Sequence, residues 1–398
     1  MAAASVSRLL ALASLGIVRS RTLRLMTFNI HGWRDAEHVD NLQRLIDVIN
    51  EERPDVVCLN EALHPFIAPD PSDSYWSAVR ERRGHGHRPP EGTRPDPADE
   101  RNYLHRLAAA LGLPHCVFGA AVGEGVEPEP LPLPFEGSFF GQYPFGNAIL
   151  SRFPLADVRR TLLRVTPEDL DLGNQARTTA DLEHRQCTSA LVQLPDGGCV
   201  GVCVSHLDHK AEELRARQIR QVIDHCHAAF GTAWPSVLVG DLNSFDQSDM
   251  DDDGWASIVA LYARRGWPPP RPASLVRAAL DAAGYADAFA LAASAPAPVG
   301  TDTAAPPATE RPHDAYDASS ASSSAAGGTT LHAISRPPVT CWTQTRLDYV
   351  LLSPVASGGG PAGLRVRSHR TLQCDASDHL PIVCELELPK HAEGVTEK

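Results

Sequence analysis

The chain has 398 residues, of which 43% are hydrophobic and 21% are charged. These proportions are ordinary for a globular protein, and they exclude collagen, a coiled coil and a wholly disordered chain. The formal net charge of -13 disfavours a protein that coats nucleic acid through a broad basic face, although a nuclease needs positive charge only in its cleft.

The first segment resembles a leader. Residues 9–18 form an apolar run, shorter than the roughly 20 residues of a membrane span. Arginines and serines surround this run, and no acidic residue occurs before Asp35. We expect residues 1–20 to be a leader or targeting segment of a cytoplasmic protein, with a mitochondrial or other organellar location as the alternative. Secretion, a third alternative, lacks an A-x-A cleavage site. Nine cysteines without a CxxC pair indicate buried thiols in a reducing compartment.

Predicted strands and helices are interleaved along the chain. A β-rich run at residues 22–30 is followed by a helix that Asp40 caps and Pro54 ends, with apolar residues at helical spacing. A buried strand at residues 56–59 comes next. Further strands are predicted at residues 115–119, 147–151, 187–194, 199–205, 236–239, 346–353, 364–371 and 381–387. Further helices are predicted at residues 101–111, 210–229, 255–264 and 273–283.

Three segments interrupt these elements. Residues 64–100 and 121–145 are rich in Pro and Gly, which predicts two loop excursions. Residues 291–328 consist mainly of Ala, Ser, Thr, Pro and Gly, a low-complexity insertion that cannot bury a core. We therefore expect one domain over residues 21–388 and a tail at residues 389–398. Strands interleaved with helices predict sheets that are covered by helices.

Polar side chains recur where the apolar strands end. Because strand ends on one edge of a layered sheet converge, we expect one site there. Carboxylate and amide oxygens suit Mg²⁺. Zinc is disfavoured, since the two histidines lack HxxxH-type spacing and no cysteine joins them. Each residue alone is more often a turn former or a solvated polar group, so the argument depends on the set. The residues are Asn29, Glu61, His206, Asp241, Asn243, Asp348, Asp378 and His379.

The order of seven motifs identifies a family. The motifs are TFNIHGW, CLNEAL, NAILSRFPL, SHLDH, VGDLNS, RLDYVLLS and SDHLPI, and they span nearly the whole chain. Together they resemble the endonuclease/exonuclease/phosphatase superfamily of deoxyribonuclease-like, metal-dependent phosphoesterases. The resemblance implies an α/β fold, a four-layer α/β/β/α sandwich with two packed mixed β-sheets, and a single catalytic domain over residues 21–388. It also implies hydrolysis of a phosphodiester or phosphomonoester, in nucleic acid or in a phosphoinositide or phospholipid head group.

The resemblance also implies a metal site. Glu61 matches the principal metal carboxylate, and Asn29 matches the amide beside it that positions the metal and the phosphate. Asp378 matches the carboxylate that can complete the site. The implied cofactor is Mg²⁺, with Mn²⁺ as the alternative.

The remaining matched residues have catalytic or substrate-binding roles in the family. Asp241 matches the residue that orients or deprotonates the attacking water, and Asn243 matches an amide that binds the phosphate. His206 matches a histidine that contacts a phosphate oxygen or assists the leaving group. His379 matches a second active-site histidine, which Asp348 orients. Arg185 matches a substrate-binding arginine more loosely.

The chemistry of these residues is consistent with direct hydrolysis. A cation and hydrogen-bond donors offset the charge of the phosphoester, and a carboxylate can serve as base for water, so no covalent nucleophile is needed. His379 stays open as the alternative base. The rival interpretation is an inactive member that binds proteins through its loop excursions. We expect a monomer without an integral membrane segment.

Two further features stay open to interpretation. Asp249, Asp251, Asp253 and Gly254 match the first half of an EF-hand loop, but Ala260 stands where a bidentate Glu is required. We interpret this stretch as an acidic loop. Trp342 either lines the cleft or packs beneath it.

Overall fold

The computed structural model describes residues 22–67, 96, 98–122, 144–166, 184–294, 337–357 and 363–388. Within these residues the chain forms twelve strands, seven α-helices and a short 3-10 helix at Gln247–Asp249. The strands are β1 (Thr22–Asn29), β2 (Val56–Leu63), β3 (His115–Val122), β4 (Phe145–Ser151), β5 (Leu155–Leu163), β6 (Arg185–Gln193), β7 (Cys199–Ser205), β8 (Ser236–Asp241), β9 (Ala286–Asp287), β10 (Asp348–Leu352), β11 (Arg365–Thr371) and β12 (Ile382–Glu387). The helices are α1 (Leu42–Glu52), α2 (Tyr103–Leu111), α3 (Glu212–Phe230), α4 (Asp252–Arg265), α5 (Leu275–Ala282), α6 (Ala288–Ser294) and α7 (Pro354–Ser357).

The strands form two mixed sheets of six. The first has the order β11-β12-β1-β2-β4-β3, and the second has the order β5-β6-β7-β8-β10-β9. Each sheet contains one parallel pair, β1 with β2 and β7 with β8. The other neighbours are antiparallel. The predicted α/β fold with two mixed sheets is therefore confirmed.

Alternating side chains of the strands build the layers. In β1, Leu23 and Leu25 pack between the two sheets, whereas Met26 and Phe28 face the helices. Successive side chains of a strand point to opposite faces, so one apolar strand serves two cores. Helices α1 and α2 cover the outer face of the first sheet, and α3 and α5 cover that of the second. The layers are thus helix, sheet, sheet and helix.

Several boundaries differ from the sequence predictions. Strand β5 was not predicted, because it is an edge strand that mixes polar and apolar residues and is partly exposed. The cap of α1 is Asn41 rather than Asp40, although Oδ1 of Asp40 accepts a hydrogen bond from the N–H of Leu42 at 3.1 Å. Helix α4 begins at Asp252, three residues before its predicted start.

The predicted loops and termini lie only partly within the description. Strands β3 and β4 contain both ends of the 121–145 excursion, and α6 contains the first four residues of the insertion at 291–328. Most of the 64–100 excursion, the rest of the insertion, the leader at 1–20 and the tail at 389–398 lie outside the described residues.

In the described part of the chain, no helix combines the length and the apolarity that a membrane span requires.

Candidate active site

The predicted site residues meet at one edge of the stacked sheets. Asn29 ends β1 and Glu61 lies in its parallel neighbour β2, while Asp241 ends β8 in the other sheet. Parallel strands end on the same edge of a sheet, so packing the two sheets together brings these ends close. The structure brings the other predicted residues to this edge as well: Arg185, His206, Asn243, Asp348, Asp378 and His379.

Asn29 joins the two central carboxylates. Its Nδ2 donates to Oε1 of Glu61 at 3.1 Å and to Oδ2 of Asp241 at 3.0 Å. Its Oδ1 accepts from the backbone N–H of His31 at 3.1 Å, which fixes the orientation of the amide. Glu61 has a φ of 58°, at the point where the register of β2 against β4 shifts. A non-glycine residue rarely adopts this backbone region, and such strain concentrates at functional sites.

Asp348 orients His379. Asp348 opens β10 directly opposite Asp241 of β8. Nδ1 of His379 donates to Oδ2 of Asp348 at 2.9 Å, and Nε2 of the same ring lies 3.7 Å from Oδ2 of Asp241. Burial lowers the pKa of His379, but the electrostatic effects of Cys341, Asp348 and Asp241 outweigh it and raise that pKa well above its ordinary value. The imidazole therefore holds a proton at neutral pH.

His206 and Arg185 form the basic side of the site. Nε2 of His206 lies 3.5 Å from Oδ2 of Asp241 and 3.9 Å from Oε1 of Glu61. Arg185 opens β6, and its Nη1 donates to Nδ1 of His206 at 3.0 Å while its Nη2 donates to Nδ1 of His209 at 3.2 Å. The guanidinium is buried and lines the cavity, where its planar set of donors suits a phosphate.

Asn243 and Asp378 lie at the margins of the site. The backbone N–H of Asn243 donates to Oδ1 of Asp241 at 2.9 Å, and its Nδ2 donates to the carbonyl of Leu207 at 3.1 Å. Oδ1 of Asp378 lies 3.7 Å from Nδ1 of His31. Asn243 and Asp378 both line the cavity, so each can reach a bound molecule.

Two carboxylates, the buried Asp241 and the partly buried Glu61, make the centre suitable for a cation. Burial raises the pKa of Asp241 to about 6, and burial also raises the pKa of Glu61. Among the described residues, Oε2 of Glu61 has no hydrogen-bond partner although it is buried. A buried carboxylate oxygen without a partner is costly, and a hard divalent cation would satisfy it. The donor set therefore fits Mg²⁺ or Mn²⁺.

The site forms the floor of a cavity of about 770 Å³. Side chains of α4, including Ile258 and Tyr262, line one part of its wall, together with Trp267. Trp342 also lines the cavity and is 55% exposed, so it borders the cleft rather than packing beneath it. A wall with several aromatic rings can contact an apolar or planar part of a substrate.

A ladder of buried amides beneath the site was not assigned from the sequence. Oδ1 of Asn60 accepts from the N–H of Asp241 at 2.9 Å, and Nδ2 of Asn60 donates to Oδ1 of Asn147 at 2.8 Å and to the carbonyl of Ser205 at 3.0 Å. Nδ2 of Asn147 in turn donates to the carbonyl of Gln186 at 2.9 Å. These bonds join the two sheets directly behind Asp241. A polar residue inside an apolar strand, as in CLNEAL and NAILS, is the signal that could have found them.

The acidic stretch after the GDLNS motif lies at the start of helix α4. Oδ1 of Asp251 accepts from the N–H of Gly254 at 2.8 Å and so caps α4. Behind it, Trp255 contacts Phe245 edge to face at 6.4 Å between ring centroids. This arrangement agrees with an acidic surface segment rather than a complete EF-hand.

Comparison with known proteins gives a family for this architecture. A family model described as "Endonuclease/Exonuclease/phosphatase family" matches residues 26–379. No match was found among curated proteins.

A solved structure also supports the fold. An endonuclease/exonuclease/phosphatase from Beutenbergia cavernae is 22% identical, with a TM-score of 0.53 over 93% of this chain and 72% of that chain. The human Nocturnin catalytic domain, solved with a bound sulfate anion, is 17% identical, with a TM-score of 0.48 over 93% of this chain and 95% of that chain. A mannosyl-6-phosphatase from Bacteroides thetaiotaomicron is 14% identical, with a TM-score of 0.46 over 92% of this chain and 99% of that chain. At these identities the likeness concerns the fold alone.

Proposed function

Because the chain belongs to the endonuclease/exonuclease/phosphatase family, whose members hydrolyse phosphoester bonds, we propose that it is a Mg²⁺-dependent phosphoesterase that uses a water molecule as nucleophile. The observation that carries this proposal is the grouping of Glu61, Asp241, His206 and His379. Oδ2 of Asp241 lies 3.5 Å from His206 and 3.7 Å from His379, and Glu61 lies 3.9 Å from His206. The substrate is a phosphodiester or phosphomonoester, in nucleic acid or in a phosphorylated lipid or small molecule.

Glu61, Asn29 and Asp378 would hold the metal ion. The buried, unpartnered Oε2 of Glu61 supports this assignment, and Asn29 fixes the position of Oε1 through its amide. A bound Mg²⁺ or Mn²⁺ supplies positive charge that offsets the charge of the phosphoester. Removing the carboxylate of Glu61 should therefore abolish metal-supported hydrolysis.

Asp241 acts as the base that orients and deprotonates the attacking water. Its pKa of about 6 leaves it ionised at neutral pH, whereas the raised pKa of His379 keeps that imidazole protonated. A protonated imidazole cannot accept a proton from water, which supports Asp241 as the base. His379 instead donates a hydrogen bond, through Nε2, to a phosphate oxygen or to the leaving group. Asp348 holds the ring in that orientation.

Arg185, His206 and Asn243 bind the phosphate. All three line the cavity beside Asp241, and the guanidinium of Arg185 is held in place by His206 and His209. Donors that are fixed before the substrate arrives stabilise developing charge without further reorganisation. The site thus combines a base, a cation site and several phosphate donors in one buried floor.

The proposal is tested with a hydrolysis panel on the purified chain. The panel contains bis-p-nitrophenyl phosphate, single- and double-stranded DNA, RNA, phosphoinositides and sphingomyelin, each with and without Mg²⁺. His379→Ala serves as the matched blank. Metal-dependent turnover that is lost in the blank supports the proposal, and the preferred substrate gives the class. A folded protein that neither binds Mg²⁺ nor turns over any substrate would contradict it and favour a protein-interaction module.

A further inference from the structure

A second cluster of metal-ligating side chains lies away from the cavity, between the second sheet and its covering helix. Cys187 lies in β6, Cys203 in β7, and His225 in α3. One donor atom from each, two sulfurs and a ring nitrogen, lie within 4.8 Å of one another. The side chains of both cysteines are fully buried, and His225 is 7% exposed. None of these three residues lines the catalytic cavity.

The strand register produces this convergence. Cys187 of β6 lies opposite Ser205 of β7, and Cys203 lies opposite Ser189. The two cysteines are therefore diagonal neighbours on one face of the sheet, the distance at which cross-strand side chains meet. Helix α3 covers this face, and His225 extends from it toward the strands.

Polar contacts orient the imidazole within an otherwise apolar layer. Nδ1 of His225 lies 2.8 Å from Oγ1 of Thr161, and Nε2 lies 2.8 Å from Oγ of Ser189. A metal-bound histidine keeps an outer hydrogen bond on one ring nitrogen, so zinc would replace one of these two contacts and leave the other to orient the ring. A cysteine that only fills space in a core needs no such arrangement around it.

The two thiols are also unequal. Burial opposes ionisation of Cys187, but hydrogen bonds from Cys203 and His225 outweigh it and lower the pKa of Cys187 to about 6. Hydrogen bonds with Cys187 and Cys226 raise the pKa of Cys203.

We propose that Cys187, Cys203 and His225 bind a structural zinc ion, and that Cys226, which lies outside the group of donor atoms within 4.8 Å of one another, moves in as the fourth ligand when the ion binds. Cys226 follows His225 in α3 and is in hydrogen-bond contact with Cys203. Two or three thiolates with one imidazole form a soft donor set, which selects zinc over the hard cations suited to the catalytic centre. Binding would release the protons of Cys203 and Cys226, and any proton on Cys187, to solvent, since a metal-bound cysteine is a thiolate.

Such an ion would brace the strands that carry the basic side of the catalytic site. Cys187 comes two residues after Arg185 in β6, and Cys203 comes three residues before His206 at the end of β7. A metal that joins β6, β7 and α3 would fix these strands from behind, without contact with the substrate. The assignment does not depend on the proposed hydrolytic function.

The test is the metal content and the cobalt spectrum of the full chain. Protein produced with zinc and dialysed against a chelator should retain about one zinc ion per chain, because closed structural sites exchange slowly. Replacement with Co²⁺ should give a thiolate-to-cobalt charge-transfer band. Cys187→Ser and Cys203→Ser should each lose both signals. Cys58→Ser and Cys384→Ser, which change buried thiols between the two sheets, should keep them. Cys341→Ser controls for the thiol that lines the catalytic cavity.

The zinc content and the cobalt spectrum of the wild type test the proposal even if a serine variant fails to fold. Absence of zinc after production in zinc-containing medium, together with absence of a cobalt–thiolate band, would overturn the proposal. A Cys187–Cys203 disulfide in the protein as purified, detected by peptide mass spectrometry, would also overturn it. Retention of zinc by Cys187→Ser and Cys203→Ser, with loss in Glu61→Gln, would assign the ion to the catalytic centre instead.

Discussion

At the residue scale, the carboxylate of Asp348 changes the pKa values of two neighbouring groups. It raises the pKa of its hydrogen-bonded partner His379, and its charge also contributes to the raised pKa of Asp241 across the strand pair. The proposed mechanism requires ionised Asp241 and protonated His379. Activity should therefore be lost at low pH, where Asp241 becomes protonated, and at high pH, above the raised pKa of His379.

The first prediction concerns this pH dependence. On the acid side the kcat/KM of the wild type should fall about tenfold per pH unit, as Asp241 becomes protonated. Asp348→Asn should move both limbs of the profile to lower pH, since it removes a charge that raises both pKa values. An alkaline limb that stays in place in this variant would contradict the role of Asp348. The measurement is kcat/KM against pH in saturating Mg²⁺.

The pairing of His379 with Asp348 also stabilises the fold, and the size of this stabilisation depends on pH. The folded-state pKa of His379 is raised, so its pairing with Asp348 stabilises the fold fully below the unfolded-state pKa of about 6.5. That stabilisation is lost as the pH rises through the folded-state value. The cost of Asp348→Asn to the free energy of unfolding should thus be larger at pH 6 than at high pH.

Residues at strand ends were predictable, while residues behind them were not. Asn29, Asp241 and Asp348 follow or open apolar runs, and the edge of a sheet collects such positions whatever the details of packing. Asn60 and Asn147 are partners only because the two sheets stack, which no single segment of sequence specifies. Arg185 was matched loosely, yet the structure places it within 3.0 Å of His206.

At the scale of elements, the amide ladder holds β8 against β2. Asn60→Leu keeps the size of the side chain but leaves the N–H of Asp241 and the carbonyl of Ser205 without their partner. We expect a loss of roughly 3 kcal/mol in the free energy of unfolding, because unsatisfied buried groups cost about 1–3 kcal/mol each. Urea denaturation measures this loss.

Thr188→Val is the matched control for that variant. Thr188 is buried in β6 and donates to Oε1 of Gln186 at 2.9 Å, but it is not part of the ladder. Loss of this hydrogen bond in Thr188→Val should lower the free energy of unfolding by about 1 kcal/mol. Equal effects of the two substitutions would contradict a special role for the ladder.

The end of β8 makes a close approach that requires glycine. Gly240 has a φ of 126°, and a Cβ there would lie 2.1 Å from the carbonyl oxygen of Ser205. Gly240→Ala should therefore destabilise the protein by more than about 3 kcal/mol, since both backbone strain and a backbone clash oppose it. Gly197→Ala separates the two causes, because Gly197 has a φ of 86° but open space around it. A Gly240→Ala variant as stable as Gly197→Ala would refute the close approach.

Elements were easier to predict in the centre of the sheets than at the edges. Strands β1, β8 and β12 are apolar runs that lie between two neighbouring strands and are buried, so their composition identifies them as strands. The edge strand β5 contains Arg159 and Arg160 and is half exposed, so no apolar pattern distinguishes it from a loop. The two-residue strand β9 is too short to have a pattern of its own.

At the scale of the whole molecule, two buried carboxylates make the metal-free fold less stable than it could be. The pKa values of Glu61 and Asp241 are both raised, so their charged forms destabilise the folded state at neutral pH. Mg²⁺ at 100 times its Kd should stabilise the protein by about 2.7 kcal/mol, which raises the Tm by several degrees. Glu61→Gln should lose this response. An equal shift in Glu61→Gln would indicate binding elsewhere, on a surface of net charge -13.

The layered fold was predictable as a class because it follows from interleaved strands and helices. The number and order of strands in each sheet were not predictable, since they depend on pairings between distant segments. β12, near the end of the chain, inserts between β1 and β11 in the first sheet. This pairing places His379 beside the strands that carry Asn29 and Glu61.

The most direct test of the account is the rate of bis-p-nitrophenyl phosphate hydrolysis by the wild type and by Glu61→Gln, each with Mg²⁺ and with EDTA. We expect turnover in the wild type that needs Mg²⁺, and a loss of at least about 100-fold in Glu61→Gln with the fold retained. An undiminished rate in Glu61→Gln, or a wild-type rate that EDTA leaves unchanged, would contradict a metal-dependent centre built on this carboxylate.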